Sequence, residues 1–137
     1  MALLRMEHYL VLTHDLTATH AFYRDVLGLA DGFRPDLGFP GAWLYLGDVP
    51  CLHIAEWHTY TRHSNALGIP VTRESDSTGA FDHIAFTGND YDGMISRLER
   101  AAIRFHRNGI APTGLRQLFL DDPNGVKIEL NFFPDAG

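Results

Sequence analysis

The sequence predicts an α+β fold built from two βαβββ modules, and three observations predict it. Strand-like and helix-like stretches recur in the same order in both halves. A capping aspartate, Asp15 or Asp90, opens the helical stretch of each half. An acid-histidine pair, Glu7-His8 or Asp82-His83, stands in the first strand of each. The 137 residues read as one domain, 1–137: module 1 over 5–57, a linker or loop over 58–80, and module 2 over 81–133.

Taken in order, Met6 to Leu12 is rich in β-formers and short enough for a strand. Asp15 caps a helix over Leu16 to Val26, with Ala18, Phe22 and Val26 on one stripe and Gly28 as its stop. Three short strands follow, Ala30 to Arg34, Ala42 to Leu46 and Cys51 to Glu56, the last two joined by a turn at Gly47-Asp48-Val49-Pro50. Residues 57–80 hold Gly68, Pro70 and a polar run, and they read as a long loop. Phe81 to Phe86 is the next strand, and Asp90 caps a helix striped by Met94, Leu98 and Ala102. Strands over Ile103 to Arg107, Leu115 to Leu120 and Val126 to Phe132 finish the second module. Asp122-Pro123-Asn124-Gly125 is the tight turn between the last two.

Composition narrows the function classes. A formal charge of −6 without a basic run argues against nucleic acid or an anionic membrane as partner. The single cysteine, Cys51, leaves no internal disulfide and suits a reducing, cytoplasmic compartment. Met1 to Leu12 carries Arg5, Glu7 and His8, so neither a signal peptide nor a membrane span is expected there. Eight histidines stand out.

Shifting the sequence by 75 lays Glu7-His8 on Asp82-His83 and Asp15 on Asp90. A shift of 74 lays Leu44-Tyr45-Leu46 on Leu118-Phe119-Leu120, and a shift of 76 lays Leu52-His53-Ile54 on Ile128-Glu129-Leu130. His8 therefore matches His83, and His53 matches Glu129. Strand parity puts all four opposite the helix-packing faces, and a pseudo-twofold arrangement would bring them to one shared cleft. Three histidines and a glutamate would meet there, and two imidazoles and a carboxylate among them leave coordination positions open and suit Fe, Mn, Ni, Co or Zn binding a bidentate oxygen substrate.

Glu7-His8, the segment His20 to Leu29, the strand Asp82 to Phe86, and Asp122-Pro123-Asn124-Gly125 with Ile128-Glu129-Leu130 together resemble the vicinal oxygen chelate superfamily. That superfamily includes glyoxalase I, methylmalonyl-CoA epimerase, extradiol dioxygenases, fosfomycin-resistance enzymes and bleomycin-binding proteins. The resemblance spans roughly residues 6–133. It implies a curved mixed sheet whose concave cleft holds a divalent metal, with His8, His83 and Glu129 as ligands. His53 stands where glyoxalase I has a glutamate and the epimerase a glutamine, and it reads as a fourth ligand or an unligated acid/base. Extradiol dioxygenases carry a tyrosine ten residues before the glutamate, where this chain has Phe119. Bacterial glyoxalase I carries an arginine where this chain has Leu12.

By parity, Trp43, Tyr45, Gln117 and Phe119 line a pocket for a small organic substrate, and Arg62 or Arg73 in the 57–80 loop meets an anionic part of it. Lys127 or Asn131 braces Glu129, while His14, His20 and His106 are read as surface residues. The expectation is a divalent-metal enzyme, glyoxalase-like lyase or isomerase or ring-cleaving-type dioxygenase, chelating adjacent oxygens. The alternative is a metal-free antibiotic-binding protein of bleomycin-resistance type. A homodimer is expected from the open sheet edges and from the superfamily's habit.

Overall fold

Alternating burial marks β1, Tyr9–Thr13, where Val11 and Thr13 are buried and Leu10 and Leu12 only half so. The structure, a computed structural model, describes residues 2–134, so residue 1 and residues 135–137 of the expected 1–137 domain lie outside the described residues. The chain divides into two units, Met1–Glu74 and Ser75–Gly137. No helix among the described residues is long and apolar enough to cross a membrane.

In the first unit, β1 begins later than Met6 because its parallel ladder with β4 starts at Tyr9↔Leu52, and His8 stands just before it. The Asp15 side chain accepts the Ala18 N–H at 3.0 Å and opens α1, Leu16–Ala21. The expected single helix to Val26 instead widens into a π-helical turn, Phe22–Val26, which buries both Phe22 and Tyr23. Gly28, at φ +85°, ends it. The next strand, β2, is only Ala30–Asp31 rather than Ala30 to Arg34. It stops where Gly32 passes under the Tyr45 ring, so closely that a Cβ there would lie 2.3 Å from Cε1. Strands β3, Gly41–Leu46, and β4, Val49–Glu56, complete a sheet of order β1-β4-β3-β2. Leu44, Leu52 and Ile54 form its core with Tyr23.

The stretch expected to be a loop over 58–80 contains α2, Trp57–Ala66. Its sequence hides it: three of its ten residues are threonine or asparagine, no acidic residue stands in its first turn, and its apolar stripe is weak. Packing on β4 stabilises it, with Ser64 buried, and Thr59 Oγ1 donates to Glu56 Oε1 at 3.1 Å at the entry. From 67 to 82 the chain is irregular, as expected.

The second unit repeats the topology. Strand β5, His83–Thr87, is followed by α3, Tyr91–Arg100, capped by Asp90 accepting the Gly93 N–H at 3.0 Å. Met94, Ile95 and Leu98 are buried, whereas Ala102 falls past the helix end at φ +56°. Strand β6, His106–Ile110, lies three residues beyond the expected Ile103 to Arg107. Its position is set by its antiparallel ladder with β7, Leu115–Asp121, from His106↔Phe119 to Ile110↔Leu115. Strand β8, Lys127–Phe132, alternates Ile128, Leu130 and Phe132 inward, giving the order β5-β8-β7-β6. Asp122 Oδ1 accepts the Asn124 and Val126 N–H groups at 2.7 and 2.9 Å, and Gly125 at φ +85° completes the predicted turn.

Register makes the repeat quantitative. Leu10 pairs with His53 and Ala85 with Glu129, while Trp43 pairs with His53 and Phe119 with Glu129. The offsets of 75 and 76 hold for β1/β5 and β4/β8. For β3/β7 the register equates Trp43 with Phe119, an offset of 76 rather than 74. A bulge between Leu44 and Leu46 lets the two apolar triplets mimic each other two residues out of step, which preserves the face of every side chain.

Candidate functional site

Within the first unit the structure brings His8, His53 and Trp43 into one stack. The His53 ring lies 3.6 Å from the His8 ring at 15° and 4.1 Å from the Trp43 ring at 7°. Cross-strand pairing with Trp43 and Leu10 puts His53 on the face away from Leu52 and Ile54. It is 8% exposed, and its Nε2 is buried without a hydrogen-bond partner among the described residues. Burial first, and the neighbouring His8 second, push its pKa down to about 4, so the ring is neutral at neutral pH. A neutral imidazole with an orphan ring nitrogen is an acceptor waiting for a proton donor or a cation.

His8 is held differently. Its Nδ1 meets Glu7 Oε1 at 2.9 Å, which directs Nε2 away from the carboxylate. In the second unit the same device recurs, with His83 Nδ1 2.7 Å from Asp82 Oδ2. Lys127 Nζ braces Asp82 at 3.1 Å, and the His83 hydrogen bond first, Lys127 second, hold that carboxyl below its usual range. His83 Nε2 then stands 3.5 Å from Glu129 Oε1.

Glu129 is positioned by amides rather than by Lys127. Asn108, Gln117 and Asn131 sit opposite one another across β6, β7 and β8. Asn108 Nδ2 donates to Gln117 Oε1 at 2.7 Å, Gln117 Nε2 to Asn131 Oδ1 at 3.0 Å, and Asn131 Nδ2 to Glu129 Oε2 at 2.7 Å. An ionised carboxylate only accepts, so it sets the direction of all three bonds, and each bond polarises the next. The ladder occupies Oε2 and leaves Oε1 facing His83. Of the two expected braces for Glu129, Asn131 is the one in place.

Tyr45 packs on Gly32 and donates its hydroxyl to Phe33 O at 2.5 Å. Phe119 shares the Glu129 face and lines an open groove of about 430 Å3 with Arg104, His106 and Lys127. His106 is exposed, as expected, and it pairs with Phe119 across the ladder and so stands on that face too. Gln117 is spoken for by the amide ladder rather than free to meet substrate. Arg62 is exposed on α2, not in a loop, and makes no ion pair among the described residues. His14 bonds Glu74, and His20 meets Asp31 at 2.5 Å.

Among the described residues no group of three or more His, Cys, Asp or Glu side chains is arranged to hold a metal ion. The donor types in each unit nevertheless suit a divalent ion. In the first unit His8 presents Nε2 and His53 adds an orphan nitrogen; in the second His83 presents Nε2 and one Glu129 oxygen is unclaimed by the ladder. Two residues escape the sequence reading. Asn108 is missed because β6 is displaced, and Arg34 because it follows a strand that ends early.

The family profile described as "Glyoxalase/Bleomycin resistance protein/Dioxygenase superfamily" matches residues 5–130. No curated protein matches the chain. Among solved structures, a lactoylglutathione lyase from Agrobacterium tumefaciens is similar, at 23% identity and TM-score 0.69 over 96% of both chains. A glyoxalase/bleomycin resistance protein/dioxygenase from Nocardioides gives 22% identity and TM-score 0.69, covering all of this chain and 88% of that one. A genomically encoded fosfomycin resistance protein from Listeria monocytogenes gives 15% identity and TM-score 0.68, over 95% and 93%. At these identities the structural likeness carries the fold.

Proposed function

The chain belongs to the glyoxalase/bleomycin resistance protein/dioxygenase superfamily, and from that premise we propose that it is a divalent-metal enzyme moving a proton on a substrate with adjacent oxygen atoms, a lyase or isomerase. The observation that carries the reading is the repeated acid-histidine pair. The same carboxylate-to-Nδ1 contact at 2.9 and 2.7 Å frees Nε2 of His8 and of His83 for metal duty. The proposed ligands are His8, His83 and Glu129. A bound divalent ion would supply Lewis acidity, stabilising negative charge on the substrate's oxygens.

The chain's own residues do the rest. The amide ladder holds Glu129 to one oxygen, and the Trp43 ring fixes the plane of His53. His53 Nε2, neutral and unpartnered, accepts the proton that leaves the substrate. Burial keeps that ring neutral, and so able to accept a proton. Phe119 supports proton transfer over oxygen chemistry, since it offers no hydroxyl on the Glu129 face. The proposed assembly is a homodimer in the cytoplasm, and sedimentation at several concentrations measures its state.

The first experiment is elemental analysis of protein purified without a nickel column, beside a His83→Ala/Glu129→Ala variant. About one ion per chain, lost in the variant, is the expected result. Exchange of a substrate proton into deuterated solvent without oxygen uptake then assigns the chemistry. Oxygen consumption would replace the lyase reading with a dioxygenase. A parent that stays empty after reconstitution with Fe, Mn, Co, Ni and Zn would leave the second reading, a ligand-binding protein, which the flat His8, His53 and Trp43 stack also suits.

A further inference from the structure

Arg34 carries a half-buried cation with no carboxylate at ion-pair distance among the described residues. It lies just past β2, where Nη2 donates to Phe39 O at 2.9 Å and the guanidinium covers the Phe39 ring at 5.1 Å. That is one hydrogen bond among the described residues for a group with five donors. Its Nε is buried without a partner, and no carboxylate among the described residues reaches ion-pair distance of it. Asp36 is near enough to favour the charge, but its Oδ1 accepts the Gly38 N–H at 3.1 Å instead. Burial is the larger effect and disfavours the charged form.

The place of this cation matters. Gly41 pairs with Ala55, two residues along each strand from the Trp43↔His53 pair, so Gly41, Trp43 and His53 share a face. A Cβ on Gly41 would lie 2.9 Å from Arg34 Nη2, which puts the guanidinium where that side chain would stand. Its charge also reaches His53 and disfavours the protonated ring. The same face therefore holds a half-buried guanidinium with no carboxylate at ion-pair distance, beside a neutral imidazole whose Nε2 has no partner among the described residues. A desolvated cation kept without a counter-charge is costly unless a ligand supplies one.

We propose that Arg34 forms an anion subsite beside the His53-Trp43 stack, taking a carboxylate or phosphonate group of the substrate. The substrate class is thus an oxyacid whose acid group lies close to the reacting atoms. This deepens the enzyme reading above, yet its test needs no metal. A planar acid is the suitable probe, because guanidinium and carboxylate pair through a matched fork.

The test is titration of the metal-free full-length chain with benzoate and phenylphosphonate, with benzamide as the neutral match, read by NMR at the Trp43 indole and the His53 ring. The expected result is saturable binding of both acids, perturbing those two signals, with benzamide weaker. Arg34→Gln should weaken the acids about tenfold or more and leave benzamide unchanged. Arg34→Lys, which keeps charge without the fork, should weaken them a few-fold, and it carries the test if the glutamine variant does not fold. Equal binding of benzamide, or affinity unchanged in both variants, overturns the subsite. So does absence of saturable acid binding by both the metal-free and the Mn-loaded chain. Binding that appears only on Mn loading and survives Arg34→Gln places the acid on the metal, overturning the subsite while the enzyme reading stands. Arg34-dependent binding in a chain that never takes metal upholds the subsite while the enzyme reading falls.

Discussion

His53 is 8% exposed, has no hydrogen-bond partner at Nε2 among the described residues, and has the His8 and Trp43 rings against its faces. Burial first and the neighbouring His8 second favour the neutral form, and the folded pKa of about 4 lies below the unfolded value of about 6.5. The sign of the linkage follows. Between those two values the unfolded chain binds a proton that the folded chain refuses, so this group's contribution is full above about 6.5 and falls as the pH drops toward 4. The loss is roughly 1–3 kcal/mol. Urea unfolding of the metal-free chain from pH 7 to pH 4, compared with His53→Asn, should show the parent losing that much more stability on acidification. Equal slopes would refute the burial argument. Gly41 is the other residue whose environment is decisive. A Cβ there would stand 2.4 Å from the Ile54 carbonyl oxygen, backbone that cannot rotate away. Gly41→Ala should therefore destabilise the chain by about 1–3 kcal/mol in the same assay.

Across elements, the amide ladder ties the edge strand β6 to the carboxylate on β8 through a single direction of donation. Gln117→Leu breaks it in the middle, orphaning Asn108 Nδ2 and Asn131 Oδ1 together. The expected cost is about 1–3 kcal/mol in melting of the metal-free chain. Freed from its brace, Glu129 should also bind metal about 10- to 100-fold more weakly, read by calorimetric titration with Mn. Unchanged metal affinity would make the ladder structural only. How much of this is legible in the sequence depends on the element. The repeated strands and caps are legible because an acid-histidine pair and an N-cap aspartate recur at one offset, and local chemistry enforces both. Helix α2 is not, because tertiary packing on β4 overrides a poor intrinsic propensity. The β6 register is set by its partner strand rather than by its own residues, which is why Asn108 goes unseen. Arg34 is invisible for a related reason: only the missing side chain at Gly41 makes room for it.

At the scale of the whole molecule, the fold is shared with proteins of 15–23% identity, so it is set by burial pattern, and function rests on a few side chains. Metal binding then becomes a property of the entire folding equilibrium, because an unfolded chain has no preformed ligand set. At a free ion concentration of 100 times Kd, binding stabilises the folded state by about 2.7 kcal/mol. For a chain of this length that is roughly 10 °C in Tm. The informative comparison is among variants. His83→Ala/Glu129→Ala should abolish the metal-induced rise in Tm, and His8→Ala should abolish most of it as well if all three residues hold one ion. Adding His8→Ala to the double variant should then remove nothing further, since there is no binding left to lose. A His8→Ala chain that keeps the full rise would assign the ion to His83 and Glu129 alone. The Glu7-His8 pair would then serve the His53 stack instead, and the proton chemistry would need a different metal-side partner.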